Sequence, residues 1–582
     1  MILQALSEYY QRKTREGSNE LPPIGFEKKE IPFLIVLDEE GYFVDLEDTR
    51  TGKGKKKTGR IFIVPQGEKR TSGILPNLLW DTLDYVLGTV SAVKAERLEA
   101  NKREKEQQRA KEKRAAFIQR IKDTFPEVGA DKGIKAVLAF LEKGDFQSLY
   151  NHSLWDEINR STGNLSFRLQ NSTELICQRN AVRRAIAEWV TERKKQRQRC
   201  LVSGEVDTIA RVHPPIRGVR GAQPSGADIV SFNRDAFTSY GKHQGINAPV
   251  GERVTFAYTT ALNHLLRKGS RQRIQVGDAS TVFWAAKDHP SEEQFVAWLD
   301  PDPDDPDRGT EAIRALYAAP KSGAKPIDED DTPFYVLGLA PNAARIAVRF
   351  WYPGTVGEVA RHIRQHFDDT HIIHAPQEPE FLPLFRLLKA SALQGKVENV
   401  PPNLAGDFMK AILVGMPYPR TLLAAALRRV RAEHHITYPR VALIKAVLTR
   451  NARLFNHPQQ EVNVALDLKN LNIGYRLGRL FAVLERVQNL ALPNVEATIR
   501  DRFYSAASST PRTAFPHLLK LKNYHLDKLE EGQIIWLEKL MGEIMDGIEY
   551  FPAHLSLDDQ GRFTVGYYHQ RQAFFNKKNL DN

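Results

Sequence analysis

Residues 213–227 and 231–247 combine side chains that could contact nucleic acid. Arginine and lysine can neutralise phosphates, asparagine and glutamine can hydrogen-bond to base edges, and glycine lets a backbone approach a groove closely. Turns rich in glycine and asparagine are also common in β-rich domains, so packing of buried loops is the alternative explanation. These two segments are the strongest candidates for binding chemistry in the sequence.

Recognisable signatures of catalysis are missing from the rest of the chain. The string from Gly54 to Ile61 has the glycine spacing of a phosphate-binding loop but lacks the Lys and Ser/Thr that would follow, so we interpret it as a lysine-rich turn. There is no HExxH, GxSxG or GxGxxG motif. The two cysteines, Cys177 and Cys200, are too few for a four-thiolate zinc site. We therefore expect no catalytic residue, no metal and no cofactor.

Composition places the chain among basic globular proteins. Its 582 residues, 42% hydrophobic and 26% charged, suit two to four domains and exclude collagen-like, disordered and disulfide-scaffold classes. The 83 Lys+Arg and 71 Asp+Glu give a net charge of +12, which favours a polyanionic partner. No apolar run is long enough to span a bilayer, and the first residues do not resemble a signal peptide. We expect a cytoplasmic protein without a membrane partner.

Positive charge is concentrated near the two candidate loops. Residues 193–220 hold eight basic and two acidic residues, half of the net charge of the chain. Residues 201–249 are interrupted by Gly, Ser, Asn and Pro, which predicts ordered loops carried on strands. An acidic, proline-broken stretch at 300–307 predicts a surface loop.

The elements that must position these loops follow from hydrophobic periodicity and turn residues. The predicted helices span residues 4–12, 95–121 and 174–199, and the predicted strands span residues 31–37, 61–64, 334–337 and 346–352, with a turn at Pro341-Asn342 between the last two. Together they predict a mixed α/β N-terminal region with β-rich loops over residues 1–380.

The chain becomes helical after about residue 381. Apolar residues recur at three- and four-residue spacing in 411–413, 422–430, 441–448, 477–487, 518–529 and 534–548, and prolines at 417, 419, 439, 458, 493, 511 and 516 are predicted to separate these runs. Residues 409–582 hold 24 Lys+Arg and 16 Asp+Glu. The predicted fold class is therefore α+β, with an all-α basic helical bundle over residues 381–582.

Several long strings resemble the large subunit of the type I-C CRISPR surveillance complex, called Cascade. They occur in the same order over nearly the whole chain and include Cys200-Leu201-Val202-Ser203-Gly204-Glu205, Ser231-Phe232-Asn233, Ser239-Tyr240-Gly241, Leu337-Gly338-Leu339-Ala340-Pro341-Asn342, Gly415-Met416-Pro417-Tyr418-Pro419 and Leu477-Gly478-Arg479-Leu480-Phe481-Ala482. The resemblance implies a non-catalytic, DNA-binding subunit.

The resemblance also implies the partners and the division of labour. The N-terminal part would recognise the protospacer-adjacent motif (PAM) of double-stranded target DNA and promote duplex opening, and the helical bundle would steady the displaced strand. The implied partners are the guide RNA (crRNA), the backbone, crRNA-processing and small subunits, and a helicase-nuclease recruited after R-loop formation. Because exchanging a DNA duplex for a guide heteroduplex is nearly balanced in energy, a few protein contacts can nucleate the opening.

Two groups of residues are predicted to contact DNA. For the PAM and the duplex groove we predict contacts from Arg70, Ser72, Gly73, Asn77, Arg217, Arg220, Gln223, Asn233 and Lys242. The alternative role for Asn77 is a helix N-cap before Leu78. For the displaced strand we predict a non-specific, salt-dependent track of Arg428, Arg429, Arg431, Arg440, Lys445, Arg450 and Arg453.

Members of this family typically encode a separate small subunit by translation from within the large-subunit gene. Only five methionines occur, at 1, 409, 416, 541 and 545. Met409 follows Ala405-Gly406-Asp407-Phe408, and Ala-Gly-Asp can be encoded by a purine-rich stretch that resembles a ribosome-binding site. We hypothesise an internal start at Met409 that yields the isolated basic bundle. N-terminal sequencing of a small product that begins elsewhere would contradict this hypothesis.

Two other classes of function compete with this one. A nuclease could assemble its acidic residues only in three dimensions, and metal-dependent cleavage by the purified chain would favour it. A structural scaffold could contact only protein and guide RNA. Equal affinity for target duplexes with and without the PAM would favour the scaffold.

Overall fold

The computed structural model describes residues 1–16, 20–52, 57–68, 70, 73–97, 99–126, 131–192, 197–300, 306–317, 327–457 and 462–575. They form two compact units. The first unit comprises Leu3–Pro214 and Phe232–Ala261, and the second comprises Pro215–Ser231 and the chain from Leu262 onward. Within the described residues, no helix combines the length and the apolar composition that crossing a bilayer requires.

Strands of the first unit form one four-stranded sheet and two small ribbons. The strands are β1 Phe26–Glu30, β2 Phe33–Leu37, β3 Phe43–Asp48, β4 Ile61–Pro65, β5 Trp80–Thr82, β6 Asn164–Leu169, β7 Arg197–Arg199 and β8 Val206–Thr208. The large sheet has the order β3-β2-β6-β5, in which only β2 and β6 are parallel. The pairs β1-β4 and β7-β8 are antiparallel ribbons.

Helices cover the sheet of the first unit. They are α1 Ile2–Arg15, α2 Leu83–Val86, α3 Ala92–Glu96, α4 Ala100–Thr124, α5 Lys132–Lys143, α6 Gln147–Tyr150, α7 Trp155–Asn159 and α8 Asn180–Glu192, followed by α9 Glu252–Leu265, which crosses from the first unit into the second. All five residues of β2 are buried, as expected for a strand flanked by partners on both edges. Asp131 caps α5 by accepting hydrogen bonds from the N–H groups of Gly133 and Ile134.

The second unit joins an antiparallel sheet to a helical bundle. Its strands are β9 Arg273–Val276, β10 Ala279–Ala285, β11 Pro333–Asn342 and β12 Arg345–Thr355, in the order β12-β11-β10-β9. Its helices are α10 Ser291–Leu299, α11 Pro306–Tyr317, α12 Val356–Thr370, α13 Leu384–Ser391, α14 Pro402–Val414, α15 Arg420–Glu433, α16 Tyr438–Leu454, α17 Ile473–Ala491, α18 Ile499–Ser509, α19 Pro511–Leu526, α20 Glu531–Met545 and α21 Leu557–Phe575. One hydrophobic core runs from Ile274 to Tyr568 and includes both sheet and bundle residues.

Helices α17 and α21 pack with their backbones in contact. An added Cβ at Gly478 would lie 2.0 Å from the carbonyl oxygen of Phe563, and one at Gly566 would lie 2.2 Å from the carbonyl oxygen of Tyr475. Real Cβ atoms do not approach oxygen this closely, so only glycine fits at either position. Neighbouring side chains of both helices, including Phe481 and Phe563, are fully buried in the core.

The predicted α+β class is confirmed, and most predicted elements exist. The division near residue 381 stays a prediction. The predicted helix 174–199 is wrong at its C-terminal end, because β7 pairs with β8 there. The predicted turn at Pro341-Asn342 is wrong because both residues lie in β11 and the turn falls at Ala343 and Ala344. Pro516 lies inside α19 rather than between helices.

Some predicted features lie outside the described residues. These include the first part of the lysine-rich turn, at 54–56, the basic residues 193–195 and most of the acidic stretch, at 301–305.

Candidate nucleic-acid interface

The segment 217–226, called here the arginine loop, is a closed loop of the second unit. Ile216 and Ala227 exchange two backbone hydrogen bonds of 2.9 Å at its base. Gly218 and Gly226 have φ values of +89° and +101°, and an added Cβ at Gly218 would lie 2.6 Å from the carbonyl oxygen of Leu266. Positive φ and close backbone approach both require glycine here. The base of the loop is therefore rigidly defined by its sequence.

Three predicted DNA-contacting residues lie together on the arginine loop. Arg217, Arg220 and Gln223 are all exposed. Two hydrogen bonds anchor their backbone to the rest of the second unit. The N–H of Arg217 donates to the side chain of Asn263 over 2.7 Å, and the N–H of Arg220 donates to the hydroxyl of Ser280 over 3.0 Å. These two anchors use backbone groups rather than the guanidinium groups, and the Nε of Arg217 donates to the carbonyl of Ser225 over 3.5 Å within the loop. Guanidinium groups can bind phosphates or guanine edges, and the amide of Gln223 can pair with adenine.

Two further predicted residues lie on an exposed segment of the first unit. Asn233 and Lys242 stand near the ends of residues 233–243, all of which are exposed. The N–H of Lys242 donates to the carbonyl of Ser239 over 2.9 Å, which closes a tight turn. The carbonyl of Lys242 accepts a hydrogen bond of 3.0 Å from the side chain of Asn247. We call residues 233–243 the tyrosine hairpin, after Tyr240 at its tip.

Arg70 and Gly73 also belong to the first unit, where Arg70 organises the surrounding loop. Its guanidinium forms an ion pair with fully buried Asp81, donates to the carbonyl of Leu75 over 2.7 Å and lies 4.0 Å from the ring centre of Tyr85. Burial raises the pKa of Asp81 above its usual range, against the opposing effect of its hydrogen bonds and of Arg70. Gly73 is exposed, with φ of +80° and open space around it. Ser72 lies outside the described residues.

Asn77 has a structural position rather than an exposed one. It is 6% exposed, its side-chain oxygen accepts a 2.9 Å hydrogen bond from the N–H of Glu68, and its own N–H donates to Asp81. The alternative role as a helix N-cap is wrong, because the segment leads into strand β5. In this conformation Asn77 cannot reach a base edge, so it supports the loop that carries Arg70.

The seven cations predicted for the displaced strand do not form one exposed track. Arg428 is exposed, and Arg429, Arg431 and Arg453 are half-buried. Burial lowers the pKa of Arg431. The other three, Arg440, Lys445 and Arg450, are buried and bind protein groups instead.

Arg450 lies in a buried ionic cluster between α12 and α16. Its Nε donates to Asp369 over 2.6 Å, its Nη1 donates to the carbonyl of Ala411 over 3.1 Å, and its guanidinium lies 3.9 Å from the ring centre of Tyr418. Arg453 donates to the same carboxylate over 2.8 Å. Asp369 is fully buried. A buried carboxylate between two arginines fixes the helices to each other and leaves Arg450 no surface for a ligand.

An exposed basic face on α19 was missed by the sequence analysis. Its exposed residues include Arg512, Lys520 and Tyr524, and Lys528 follows just after the helix. No acidic residue occurs in α19. Spacings of four and eight residues place Arg512, Lys520 and Tyr524 near one side of the helix. A local charge count over 511–526 would have found this face.

Among the residues that the structure describes, no group of three His, Cys, Asp or Glu side chains is arranged to hold an ion. The thiols of both cysteines are buried, and burial raises the pKa of Cys177 to about 12, which keeps it protonated. Exposed arginines, lysines and amides are the dominant chemistry of the candidate surfaces.

Comparison with protein families identifies a match. A family described as CRISPR-associated protein (Cas_Csd1) matches residues 6–575, nearly the whole chain. No curated protein matches the chain.

Proposed function

Because the chain belongs to this CRISPR-associated family, the large subunit of the type I-C Cascade complex, we propose that it recognises the PAM, helps to open target DNA and holds the displaced strand. The match over residues 6–575 carries the assignment to Cascade. The exposed arginine loop supports the more specific role in DNA recognition. The family is non-catalytic, and we propose that cleavage belongs to a helicase-nuclease that the assembled complex recruits.

PAM recognition is assigned to the exposed members of the predicted set. The arginine loop presents Arg217, Arg220 and Gln223 on a backbone that is anchored at its base and at two internal N–H groups. Rigid presentation favours base recognition, since less conformational entropy is lost on binding. In the first unit, Lys242 and Asn233 of the tyrosine hairpin are separate candidates for contact with DNA. Arg70 would contribute through the part of its guanidinium that remains exposed beside Asp81.

Strand holding is assigned to exposed cations of the second unit. The basic face of α19, with Arg512, Lys520 and Lys528, offers repeated positive charge, and Tyr524 offers a ring for stacking. These are the two components of a sequence-tolerant single-strand site. Arg428 is a further exposed cation of this unit, whereas Arg429 pairs with Glu433 and Arg453 with Asp369, and Arg431 bonds to Gln560. The remaining implied partners are the crRNA and the backbone, processing and small subunits of Cascade.

The proposal predicts that two sets of variants will weaken DNA binding in different ways. In guide-loaded complex at one salt concentration, target duplexes with and without the PAM should differ at least about tenfold in Kd. Arg217→Ala with Arg220→Ala should remove most of this difference, because each specific base contact contributes about 1–3 kcal/mol.

Arg512→Ala with Lys520→Ala should instead weaken all targets alike and reduce the salt slope by about 0.7 for each phosphate that is no longer neutralised.

Arg314→Ala is the matched control, since Arg314 is exposed but lies outside both surfaces and pairs with Glu380. Its Kd should stay within twofold of the wild-type value. PAM discrimination that survives the double loop variant would contradict the assignment to the arginine loop. Wild-type complex that binds both duplexes equally would contradict the PAM-recognition role of this chain altogether.

The internal start at Met409 also stays a proposal. Met409 is fully buried in α14, and the core around it is shared with residues on its N-terminal side such as Phe408 and Phe367. A product that began at Met409 would have to cover this apolar surface with another subunit or a second copy. N-terminal sequencing of a small co-purifying product tests the start, and Met409→Leu should abolish that product.

A further inference from the structure

The tip of the tyrosine hairpin places an aromatic ring in solvent. Tyr240 is 97% exposed, the highest value among the large hydrophobic side chains described. Tyr240 and Gly241 have φ values of +50° and +68°, and the N–H of Lys242 donates to the carbonyl of Ser239. Two central residues with positive φ define a type I′ turn, in which glycine and asparagine are preferred. A tyrosine at the first central position is therefore conformationally unfavourable.

Neighbouring polar groups hold this turn in place. The side-chain oxygen of Asn247 accepts a 3.2 Å hydrogen bond from the N–H of Ser239, and its amide donates over 3.0 Å to the carbonyls of Lys242 and Gln244. The side chain of Asn247 thus holds Ser239 and Lys242 at the two ends of the turn, and also Gln244 beyond it. The adjacent Gly245 donates its N–H to the carbonyl of Arg211 over 3.0 Å. The hairpin is an ordered support for an exposed ring.

The ring contributes nothing visible to the fold that would compensate for its backbone strain. A solvent-exposed side chain buries almost no apolar area, and strained residues that persist without such compensation are concentrated at functional sites. The flanking chemistry is polar: Arg234 and Lys242 are exposed cations, His243 is also exposed, and Asp235 is the acidic member of the segment. Phe237 of the same segment is also exposed, at 37%. An exposed ring beside cations suits a nucleobase with its flanking phosphates.

We propose that Tyr240 stacks on a nucleobase of the target DNA at the point where the duplex opens, while Lys242 and Arg234 contact the adjacent phosphates. The proposal rests on the duplex-opening function proposed above and adds a residue and a mode of contact to it. When the first base pair separates, the stacking between neighbouring bases is lost, and the ring of Tyr240 replaces part of it. Because the turn is already formed, little conformational entropy is lost on binding. Because every base offers a flat face, the contact is independent of sequence.

The test uses guide-loaded complex and target duplexes that carry the fluorescent adenine analogue 2-aminopurine in the displaced strand at the second base pair from the PAM, one pair beyond the base on which Tyr240 is proposed to stack. Fluorescence of this analogue rises when it unstacks, so it reports opening. We expect Tyr240→Ala to weaken target binding about tenfold and to slow opening at the labelled pair. Tyr240→Phe and Tyr240→Trp should keep near wild-type behaviour, because the ring rather than the hydroxyl makes the contact.

A stability measurement separates binding from folding. Tyr240→Gly should lose binding as Tyr240→Ala does, while its melting temperature should not fall below that of wild type, since glycine suits positive φ. The matched control is Tyr550→Ala, which removes another exposed ring, 70% exposed, in the second unit. Its binding and opening should be unchanged.

Three results would overturn the inference. Tyr240→Ala and Tyr240→Gly complexes that open PAM-containing duplexes like wild type would exclude stacking and leave the proposed function intact. Loss of a Cascade subunit from the variant complexes, seen by native mass spectrometry, would make Tyr240 a protein-contact residue. Wild-type complex that neither prefers PAM-containing DNA nor opens it would instead remove the proposed function on which the inference rests.

Discussion

Replacing Asp369 by alanine should destabilise the second unit by about 3–5 kcal/mol. The substitution removes the carboxylate from fully buried Arg450 and half-buried Arg453. Carbonyl groups and the ring of Tyr418 would remain around Arg450, but none of them carries a negative charge. A buried guanidinium without a counter-ion is costly because its lost hydration is not replaced.

Hydrogen exchange of peptides from α12 and α16 is the best measurement, since a chain of two units need not unfold in one step. Amide protection in both helices should fall at least about a hundredfold, which corresponds to about 3 kcal/mol. The matched control is Asp368→Asn at the exposed neighbouring position, which should change protection little. Unchanged protection in Asp369→Ala would show that the ion pairs do not hold these helices together.

The second large effect concerns the crossing of α17 and α21. Gly478→Ala should destabilise the bundle by about 3 kcal/mol, the upper end of the usual cost of overpacking. The new methyl group would meet the carbonyl oxygen of Phe563 at 2.0 Å, and backbone atoms cannot move aside as a flexible side chain can. The two helices must therefore separate and loosen the core between them. Thermal unfolding followed by helical circular dichroism should show a lower melting temperature.

Gly542→Ala is a matched control for which the expected change in the free energy of unfolding has the opposite sign. Gly542 lies in α20 of the same bundle, is exposed, and has nothing within 4 Å of an added Cβ. Alanine there should stabilise the helix by about 0.5–1 kcal/mol, since it reduces the conformational freedom of the unfolded chain. Equal effects of the two substitutions would show that the close approach of α17 and α21 is unimportant.

Regular elements with strong periodicity were predictable from the sequence. The run 441–448 became α16 and the run 477–487 became α17, because each repeats apolar residues at helical spacing. Strands were harder to predict: β5 has only three residues, and β6 pairs with β2 from far along the chain. Local patterns contain no information about such long-range pairing.

The candidate site shows where sequence reasoning fails for a physical reason. Arg428 and Arg450 look alike in a count of basic residues, yet one is exposed and the other is fully buried against Asp369. Only the orientation of each helix within the folded bundle distinguishes them. The exposure of Arg217 and Gln223 was easier to predict, because the glycines around them indicate a turn and turns lie at the surface. Their contact with DNA stays a prediction.

A translation start at Met409 would place the codons for the arginines of the Asp369 cluster under two different requirements. If translation starts both upstream and at Met409, the codons of Arg450 and Arg453 are expressed in two products, and only the longer one contains Asp369. In the longer product an apolar pair could replace the ions at little cost in stability. In the shorter product the same codons would encode cations without their carboxylate, available to phosphate. Selection on these codons would then act through two polypeptides. Phosphate binding by the shorter product would preserve arginines that the longer product could lose.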